Sequence, residues 1–347
     1  MAKQDPKGTA LSDIAVELSA VSKTFHQRQR NEQLSGILRN LLRPEFKSIP
    51  ALSGLSLAIN RGEILAYAGA NGAGKSTTVK LCCGMLAPDS GEVRVLGMNP
   101  LSDRLKCVSR IGVVFGQRTE LWFDHPVSAS FEWKRVVWDI PDDSYRVALK
   151  RMKDLLGLDE FFNTQARELS LGQRMRADLG LALVHDPEML FLDEPTLGLD
   201  VLARRSILGF LKELNRTRGV TIIVTSHQTA DLEELAGRIV LIHKGKLAFD
   251  GSFDALRKTC GDTRRLILEA DAVTAPDMSA MGARLVSTEG RHHEYLFDAS
   301  RNTIAEILSE AARQCAILDV ETHRTDIDDV VADIYETWQR GQHPTGE

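Results

Sequence analysis

The chain has 347 residues, 43% hydrophobic and 26% charged, which is the balance of a globular protein and too long for one compact core, so two domains are expected. Its net charge of −5 excludes a globally basic nucleic-acid binder. No apolar run approaches the about 20 residues that span a bilayer, and residues 1–7 lack the apolar core of a secretory signal, so work at a membrane would need a partner to hold the chain there.

Ile14–Ser19 reads as a strand. Residues 26–50 read as an insertion, and residues 23–47 carry Lys23, Arg28, Arg30, Arg39, Arg43 and Lys47 against Glu32 and Glu45, a local balance of +4. Within it Leu34, Ile37, Leu38, Leu41 and Leu42 fall on one face of a helix, with Asn31 as a cap and Pro44 as a stop. Leu55–Ile59 is strand-like, and Glu63–Tyr67 is an apolar run that ends in a Gly-rich turn. A helical pattern follows from Lys75. Further apolar strands are expected at Ile111–Phe115, Met189–Leu192 and Thr221–Val224, with helices between them. That alternation implies a largely parallel sheet covered on both faces.

Residues 256–347 read as a separate α+β unit after a first domain spanning 1–255. Leu266, Leu268 and Ala270 alternate as in a strand, and Glu294–Phe297 and Ala316–Val320 are further strands. Ile304, Ile307, Leu308 and Ala311 make one helix face. Ile327, Val330, Val331, Ile334 and Trp338 make another, with Thr325 and Asp328 as its capping box. His292 and His293 read as a surface loop. The cysteines, Cys82, Cys83, Cys107, Cys260 and Cys315, are odd in number and none is spaced for a metal, so a reducing compartment is expected. Cys82 and Cys83 sit in an apolar helical stretch and read as packing.

Gly69, Ala70, Asn71, Gly72, Ala73, Gly74, Lys75 and Ser76 satisfy the full P-loop pattern between a strand and a helix. The glycines let backbone N–H groups face phosphate oxygens, Thr77 follows in the first helical turn, and the helix start adds a favourable dipole. Lys75 can reach the β- and γ-phosphates, and Ser76 can ligate magnesium. The loop alone indicates a nucleoside triphosphate. The strand Met189–Leu192 delivers Asp193, whose carboxylate can hold magnesium, usually through water. Glu194 directly after it is placed to orient and polarise an attacking water. Two solvated acids at a strand end would look the same without the P-loop.

The segment Leu169, Ser170, Leu171, Gly172, Gln173 resembles the signature sequence of ABC ATPases, in a variant with Leu where Gly is commoner. Ser170 and Gly172 offer a hydroxyl and a bare N–H at a helix start, an anion-binding arrangement; a capped helix N-terminus is the plain alternative. The resemblance extends over residues 14 to about 255. It assigns Gln117 to the Q-loop, touching magnesium or the attacking water, and His227 to the switch histidine that donates to the γ-phosphate. It assigns Gly198, Leu199 and Asp200 to the D-loop at the partner interface, and Phe25 to the aromatic position that stacks on adenine, where Tyr is usual. Ala70 stands where Pro is common.

What this resemblance implies is an α/β P-loop NTPase of the ABC ATPase type. A RecA-like core would carry a helical subdomain over about residues 118–178, and a small C-terminal α+β domain would follow. Lys75, Gln117, Glu194 and His227 would be catalytic; Ser76, Gln117 and Asp193 would serve Mg2+; Ser170, Gly172 and Gln173 would act in trans on ATP bound by a second copy. The 53 residues from Gln117 to Ser170 leave no room for the coiled coils of DNA-repair types, and one cassette does not fit the translation-factor types. A transporter subunit is therefore expected, with a soluble non-transport ATPase as the alternative.

Val113–Val127, the run Ser170–Arg176 and the insertion after Phe25 resemble one branch of ABC-2-type exporters, although Phe123 and His125 replace the usual Trp and Leu. An importer or polysaccharide exporter stays open. In that setting the implied partners are a second ATPase subunit and ABC-2-type transmembrane permease subunits, with no nucleic acid. The implied location is cytoplasmic, peripheral on the inner face of the cell membrane. The insertion helix would either pack on its own domain or lie near the membrane, against the permease or anionic headgroups. Residues Asp326–Val331 resemble the acidic-apolar helix that closes the accessory domain of many ABC-2 ATPases.

Overall fold

The structure is a computed structural model that describes residues 13–28, 46–116, 118–226, 229–259, 263–299 and 301–324, together with Ile327, Val330, Val331 and Ile334. The chain divides into two compact units, residues 1–250 and 251–347. The first runs β1 (Ile14–Arg28), β2 (Phe46–Asn60), β3 (Ile64–Gly69), α1 (Lys75–Cys82), β4 (Ser90–Val95), α2 (Arg104–Val108), β5 (Ile111–Phe115) and α3 (Val127–Val137). It continues through α4 (Asp142–Leu156), α5 (Leu171–Leu183), β6 (Met189–Asp193), α6 (Val201–Arg218), β7 (Thr221–Thr225), α7 (Thr229–Leu235), β8 (Arg238–His243) and β9 (Lys246–Gly251).

Two sheets share the work. One has the order β5-β6-β7-β3-β8-β9, with β5, β6, β7, β3 and β8 parallel. The burial of β6 and β7 on both faces follows from their unbroken apolar runs. The other sheet is antiparallel, in the order β2-β1-β4. A continuous core joins them: Val16, Leu18, Leu55 and Val95 from the antiparallel sheet meet Leu65, Phe191, Ile223 and Ile242 from the parallel one, with Val79 and Leu81 of α1 in the same cluster. Cys82, Cys83 and Cys107 lie buried in that cluster, and burial pushes the Cys82 thiol up to about 12, so these thiols stay protonated and pack as small apolar groups.

The expected strand at residues 14–19 is longer than its apolar pattern. β1 continues to Arg28 and pairs back onto β2, with Phe25 opposite Ile49 and Gln27 opposite Lys47. The ends of the expected insertion at 26–50 are therefore ladder. Polar side chains hid this, because an extended hairpin needs backbone pairing and no buried face. The expected helix from Leu34 to Leu42, with Asn31 and Pro44, lies outside the described residues. α3, α4 and α5 supply the helices of the expected subdomain; α4 packs on α5, and α5 packs on β5.

The second unit holds α8 (Phe253–Thr259), β10 (Thr263–Ala270), β11 (Arg284–Glu289), β12 (His292–Asp298), α9 (Ile304–Gln314) and β13 (Ile317–Arg324). Its strands form an antiparallel sheet in the order β11-β12-β10-β13. Leu266, Leu268, Tyr295 and Phe297 pack against Ile307 and Ala311 of α9. Thr303 and Glu306 cap that helix reciprocally, the Glu306 N–H donating to Thr303 Oγ1 at 3.3 Å and the Thr303 N–H to Glu306 Oε2 at 2.8 Å.

One expectation is corrected here. His292 and His293 open β12 and are not a surface loop. His293 is fully buried, with Nε2 at 3.2 Å from the Ala272 carbonyl and Nδ1 at 3.4 Å from Thr288 Oγ1. Strand alternation puts His292 on the opposite face, so only one of the pair meets solvent. Ile327, Val330, Val331 and Ile334 are helical and buried. Thr325, Asp328, Trp338 and Cys260 lie outside the described residues.

Candidate nucleotide-binding site

β3 carries the chain to Gly69, a five-residue turn follows, and α1 starts at Lys75. Glycine is required at two of these positions. A Cβ at Gly69 would stand 2.7 Å from the Ile242 carbonyl oxygen. Gly74 has φ +114, and a Cβ there would stand 2.6 Å from the Ala51 carbonyl oxygen. Thr78 Oγ1 ties α1 to Gly74 O at 3.1 Å and exchanges a 3.0 Å hydrogen bond with the Tyr67 hydroxyl beneath the loop. No acidic side chain occupies the first turn of α1, which leaves its positive end available to an anion.

Lys75 is 7% exposed and folds over the loop, donating from Nζ to Gly69 O at 2.6 Å. Burial lowers its proton affinity, and the nearby Glu194 and Asp193 carboxylates oppose that shift. The ammonium is thus fixed at the mouth of the loop, where phosphate oxygens can replace the carbonyl as its acceptors.

Asp193 ends β6 directly beside α1. Ser76 Oγ donates to Asp193 Oδ2 at 3.0 Å, and Thr225 Oγ1 of β7 donates to Asp193 Oδ1 at 2.6 Å. Glu194 takes a positive φ of 58, and its N–H donates to the Thr225 carbonyl at 3.1 Å, so β7 sets the direction in which this carboxylate leaves the strand. Gly116 lies against it; a Cβ there would be 2.4 Å from Glu194 O. Ser76, Lys80, Met85, Arg118, Asp193 and Glu194 line a cavity of about 310 Å3 together with Phe115 and Gly116. The Ser76–Asp193 oxygen spacing is close to the edge of an octahedron with bonds of about 2.1 Å, so this hydroxyl–carboxylate pair fits adjacent magnesium positions.

Ser170 caps α5, with a reciprocal box: the Gln173 N–H donates to Ser170 Oγ at 3.2 Å and the Ser170 N–H to Gln173 Oε1 at 3.0 Å. Asp200 caps α6 through Oδ1, accepting from the Leu202 and Ala203 N–H groups at 2.9 Å each. The two helix starts touch. A Cβ at Gly172 would stand 3.0 Å from Ala203 Cβ, and one at Gly198 would stand 3.0 Å from Leu171 Cδ2. Leu171, Leu197, Val201 and Leu202 all remain exposed around that contact.

The ABC transporter family matches residues 52–197, the span from the second strand to the segment after Glu194. The first unit has the fold of an ABC ATPase cassette. It is 35% identical over 216 residues to the probable multidrug ABC transporter ATP-binding protein YbhF of Escherichia coli, covering 62% of this chain and 37% of that one. It is 34% identical over 194 residues to the ABC transporter ATP-binding protein YhcH of Bacillus subtilis, covering 56% of this chain and 62% of that one. The chain therefore spans less than two thirds of either relative. With the bacitracin transport ATP-binding protein BcrA of Bacillus licheniformis the identity is 29% over 213 residues, covering 61% of this chain and 68% of that one. A dimeric ATP-binding cassette solved in a post-hydrolysis state with ADP and Pi superposes with a TM-score of 0.57 at 25% identity, covering 68% of this chain and 98% of that one.

Within the cassette, the structure brings together Lys75, Ser76, Asp193 and Glu194. Ala70, Asn71 and Gly72 are exposed along the loop, Ala73 is buried beneath it, and Ser76 and Thr77 are half-buried. Gln117 and His227 lie outside the described residues. Each follows by two positions a residue, Phe115 or Thr225, that pairs with Asp193 in the sheet. Phe25 is 40% exposed on the β1–β2 hairpin. Ser170, Gly172, Gln173 and Asp200 form a separate group at the starts of α5 and α6. Sequence reasoning missed Thr225, which holds the Asp193 carboxylate and the Glu194 backbone N–H. Its signal was weak, a β-branched residue ending an apolar strand.

Proposed function

We propose that this chain binds ATP with Mg2+, hydrolyses it as one half of a pair of cassettes, and powers export through separate ABC-2-type transmembrane subunits. The cluster of Lys75, Ser76, Asp193 and Glu194 at the carboxyl ends of parallel strands, with Ser76 hydrogen-bonded to Asp193, carries the reading. Lys75 and the α1 N–H groups bind and orient the phosphates. Ser76 and Asp193 would hold Mg2+, which screens phosphate charge when bound. Glu194, aimed by Thr225, orients the attacking water and takes its proton. Gln117 and His227 are assigned to the water and the γ-phosphate on their order in the sequence, and Phe25 to the adenine face.

The exposed start of α5, with Ser170, Gly172 and Gln173, supports an action in trans on a second cassette, with Asp200 beside it. Leu171, Leu197, Val201 and Leu202 expose an apolar patch there that a second copy would cover. The names of YbhF and BcrA, multidrug and bacitracin transport, support a transporter role for this chain. Among the described residues no helix is long and apolar enough to cross a membrane. In this reading the permease is a separate polypeptide that holds the chain at the inner face of the cell membrane. The domain boundary falls near residues 250–255, and the C-terminal unit, which brings no catalytic cluster among its described residues, would serve regulation or pairing.

A Glu194→Gln variant tests this. It keeps the size and removes the base, so ATP binding persists, dimers accumulate on a sizing column with light scattering, and turnover drops by about 100-fold or more. Undiminished turnover would remove Glu194 from the mechanism.

A further inference from the structure

α5, which begins at the signature residues, buries Met175, Ala177, Leu179, Gly180, Leu181, Ala182 and Leu183. Asp178 is the only charged residue in that buried set. It is 8% exposed, and an ionised carboxylate in such a place is costly without donors. Both of its identified donors come from one short strap, the segment that leaves β5. Thr119 Oγ1 donates to Asp178 Oδ1 at 2.8 Å, and the Glu120 N–H donates to the same oxygen at 3.2 Å.

The strap is held along its length. Arg118 at its start lines the cavity beside Asp193 and Glu194, and the Arg118 N–H donates to Phe115 O at 3.0 Å. The Leu121 N–H donates to Thr119 Oγ1 at 3.0 Å, which orients that hydroxyl. Glu120 takes Lys134 of α3 at 2.5 Å, and the Trp122 N–H donates to Ser130 Oγ at 2.9 Å. The strap thus starts at the phosphate end of the cavity and, within two residues, is fastened to α5. Ser170 stands eight residues before Asp178, about 12 Å along the same rigid helix.

We infer that Asp178 is a positioning residue that ties the strap after β5 to the signature helix, and so links the two half-sites that one chain contributes to two different nucleotides. This rests on the paired-cassette reading above. In a pair, the P-loop of each chain serves one ATP and its α5 start serves the other. A displacement of the strap when γ-phosphate is engaged or released then reaches α5 through Thr119 and Asp178. The two ATP sites feel each other through this contact.

The test compares the full-length wild-type chain with Asp178→Ala, Asp178→Asn and Thr119→Val. Steady-state ATP turnover gives kcat and the Hill coefficient, which can approach two for two coupled sites. Binding of a fluorescent ATP analogue gives Kd, and thermal unfolding confirms the fold. Asp178→Ala and Thr119→Val are expected to lower kcat about fivefold or more and to bring the Hill coefficient toward one, with Kd within twofold. Asp178→Asn retains the accepting oxygen and is expected to keep the Hill coefficient. Hydrogen exchange in a Glu194→Gln background supplies a readout without turnover. There, ATP protects both residues 118–122 and 169–176 in the parent, and protects the two segments independently once Asp178 is Ala.

A structural role alone would lower thermal stability and kcat while the Hill coefficient and joint protection stayed as in the parent, and that result overturns the inference. Failure of Asp178→Asn to preserve the Hill coefficient, with Thr119→Val unchanged, does the same. A wild-type chain that turns over ATP without pairing would instead refute the paired reading, and the inference with it.

Discussion

Replacing Gly74 by Ala should unfasten the P-loop from the sheet below it. The position has φ +114, a region that costs an L-residue about 1–2 kcal/mol. The added methyl would also stand 2.6 Å from the Ala51 carbonyl oxygen and 2.8 Å from Leu52 Cδ2. The first of these is backbone of β2 and cannot rotate away, so relief requires moving the start of α1, at about 1–3 kcal/mol for such overpacking. Together the effects amount to about 2–5 kcal/mol. In a unit of this size that lowers Tm by about 4–20 °C. Thermal unfolding reads the loss, and titration with an ATP analogue reads the displaced N–H groups as weakened binding. Gly209→Ala is the control: it lies in α6 with nothing within 4 Å of the new methyl, and should be neutral or slightly stabilising. A Gly74→Ala Tm within 1 °C of wild type would refute the reasoning, because neither the backbone conformation nor the contact with β2 would then constrain the loop.

Thr225→Val keeps the volume and removes the donor to Asp193 Oδ1, leaving the carboxylate that faces Ser76 free to rotate. Steady-state kinetics should show kcat reduced about tenfold, in line with one lost hydrogen bond to a charged group, with Kd for ATP nearly unchanged; an unchanged kcat would show that Thr225 sets no catalytic geometry. Burial pushes Asp178 up to about 6, against hydrogen bonds from Thr119 and the Glu120 N–H and the attraction of Arg174. Its unfolded value is near 3.9, so between about pH 3.9 and pH 6 the native state holds a proton that the unfolded chain has released. Native stability from this group therefore rises as pH falls through 6 and is lost as pH rises, by up to about 3 kcal/mol. Asp178→Asn removes that dependence: urea unfolding should show the variant gaining most over wild type at pH 7.5 and least at pH 4.5, and a pH-independent difference would contradict it.

The parallel sheet was legible because burial on both faces leaves unbroken apolar runs. Met189–Asp193 and Thr221–Thr225 are such runs, and the structure places them side by side. The antiparallel sheet was only half legible. β1 reads apolar to Val21 and then turns polar, yet its ladder with β2 continues to Arg28. Backbone pairing at an exposed hairpin leaves no hydrophobic signature. His293 failed for the opposite reason: two adjacent histidines look like solvent-facing polarity, and only the strand period reveals that one must point inward. Its ring is satisfied by Ala272 O and Thr288 Oγ1, partners that depend on the sheet.

The candidate site was legible wherever chemistry forces a residue type at a fixed spacing. A loop that bends around phosphate needs glycine at 69 and 74, and the short distances to Ile242 and Ala51 give the physical reason. The proposed metal ligand and base call for two acids at a strand end, and Asp193 and Glu194 stand there. What stayed hidden was the support. Thr225 and Asp178 are ordinary letters in an apolar strand and an amphipathic helix, and their partners lie 32 and 59 residues away in sequence. No local pattern can announce such a bond, because either residue could be satisfied elsewhere. Yet these bonds decide where the legible residues point. Asp193 faces Ser76 because Thr225 occupies its other oxygen, and the signature helix answers to the strap because a carboxylate was buried where an alanine would have packed.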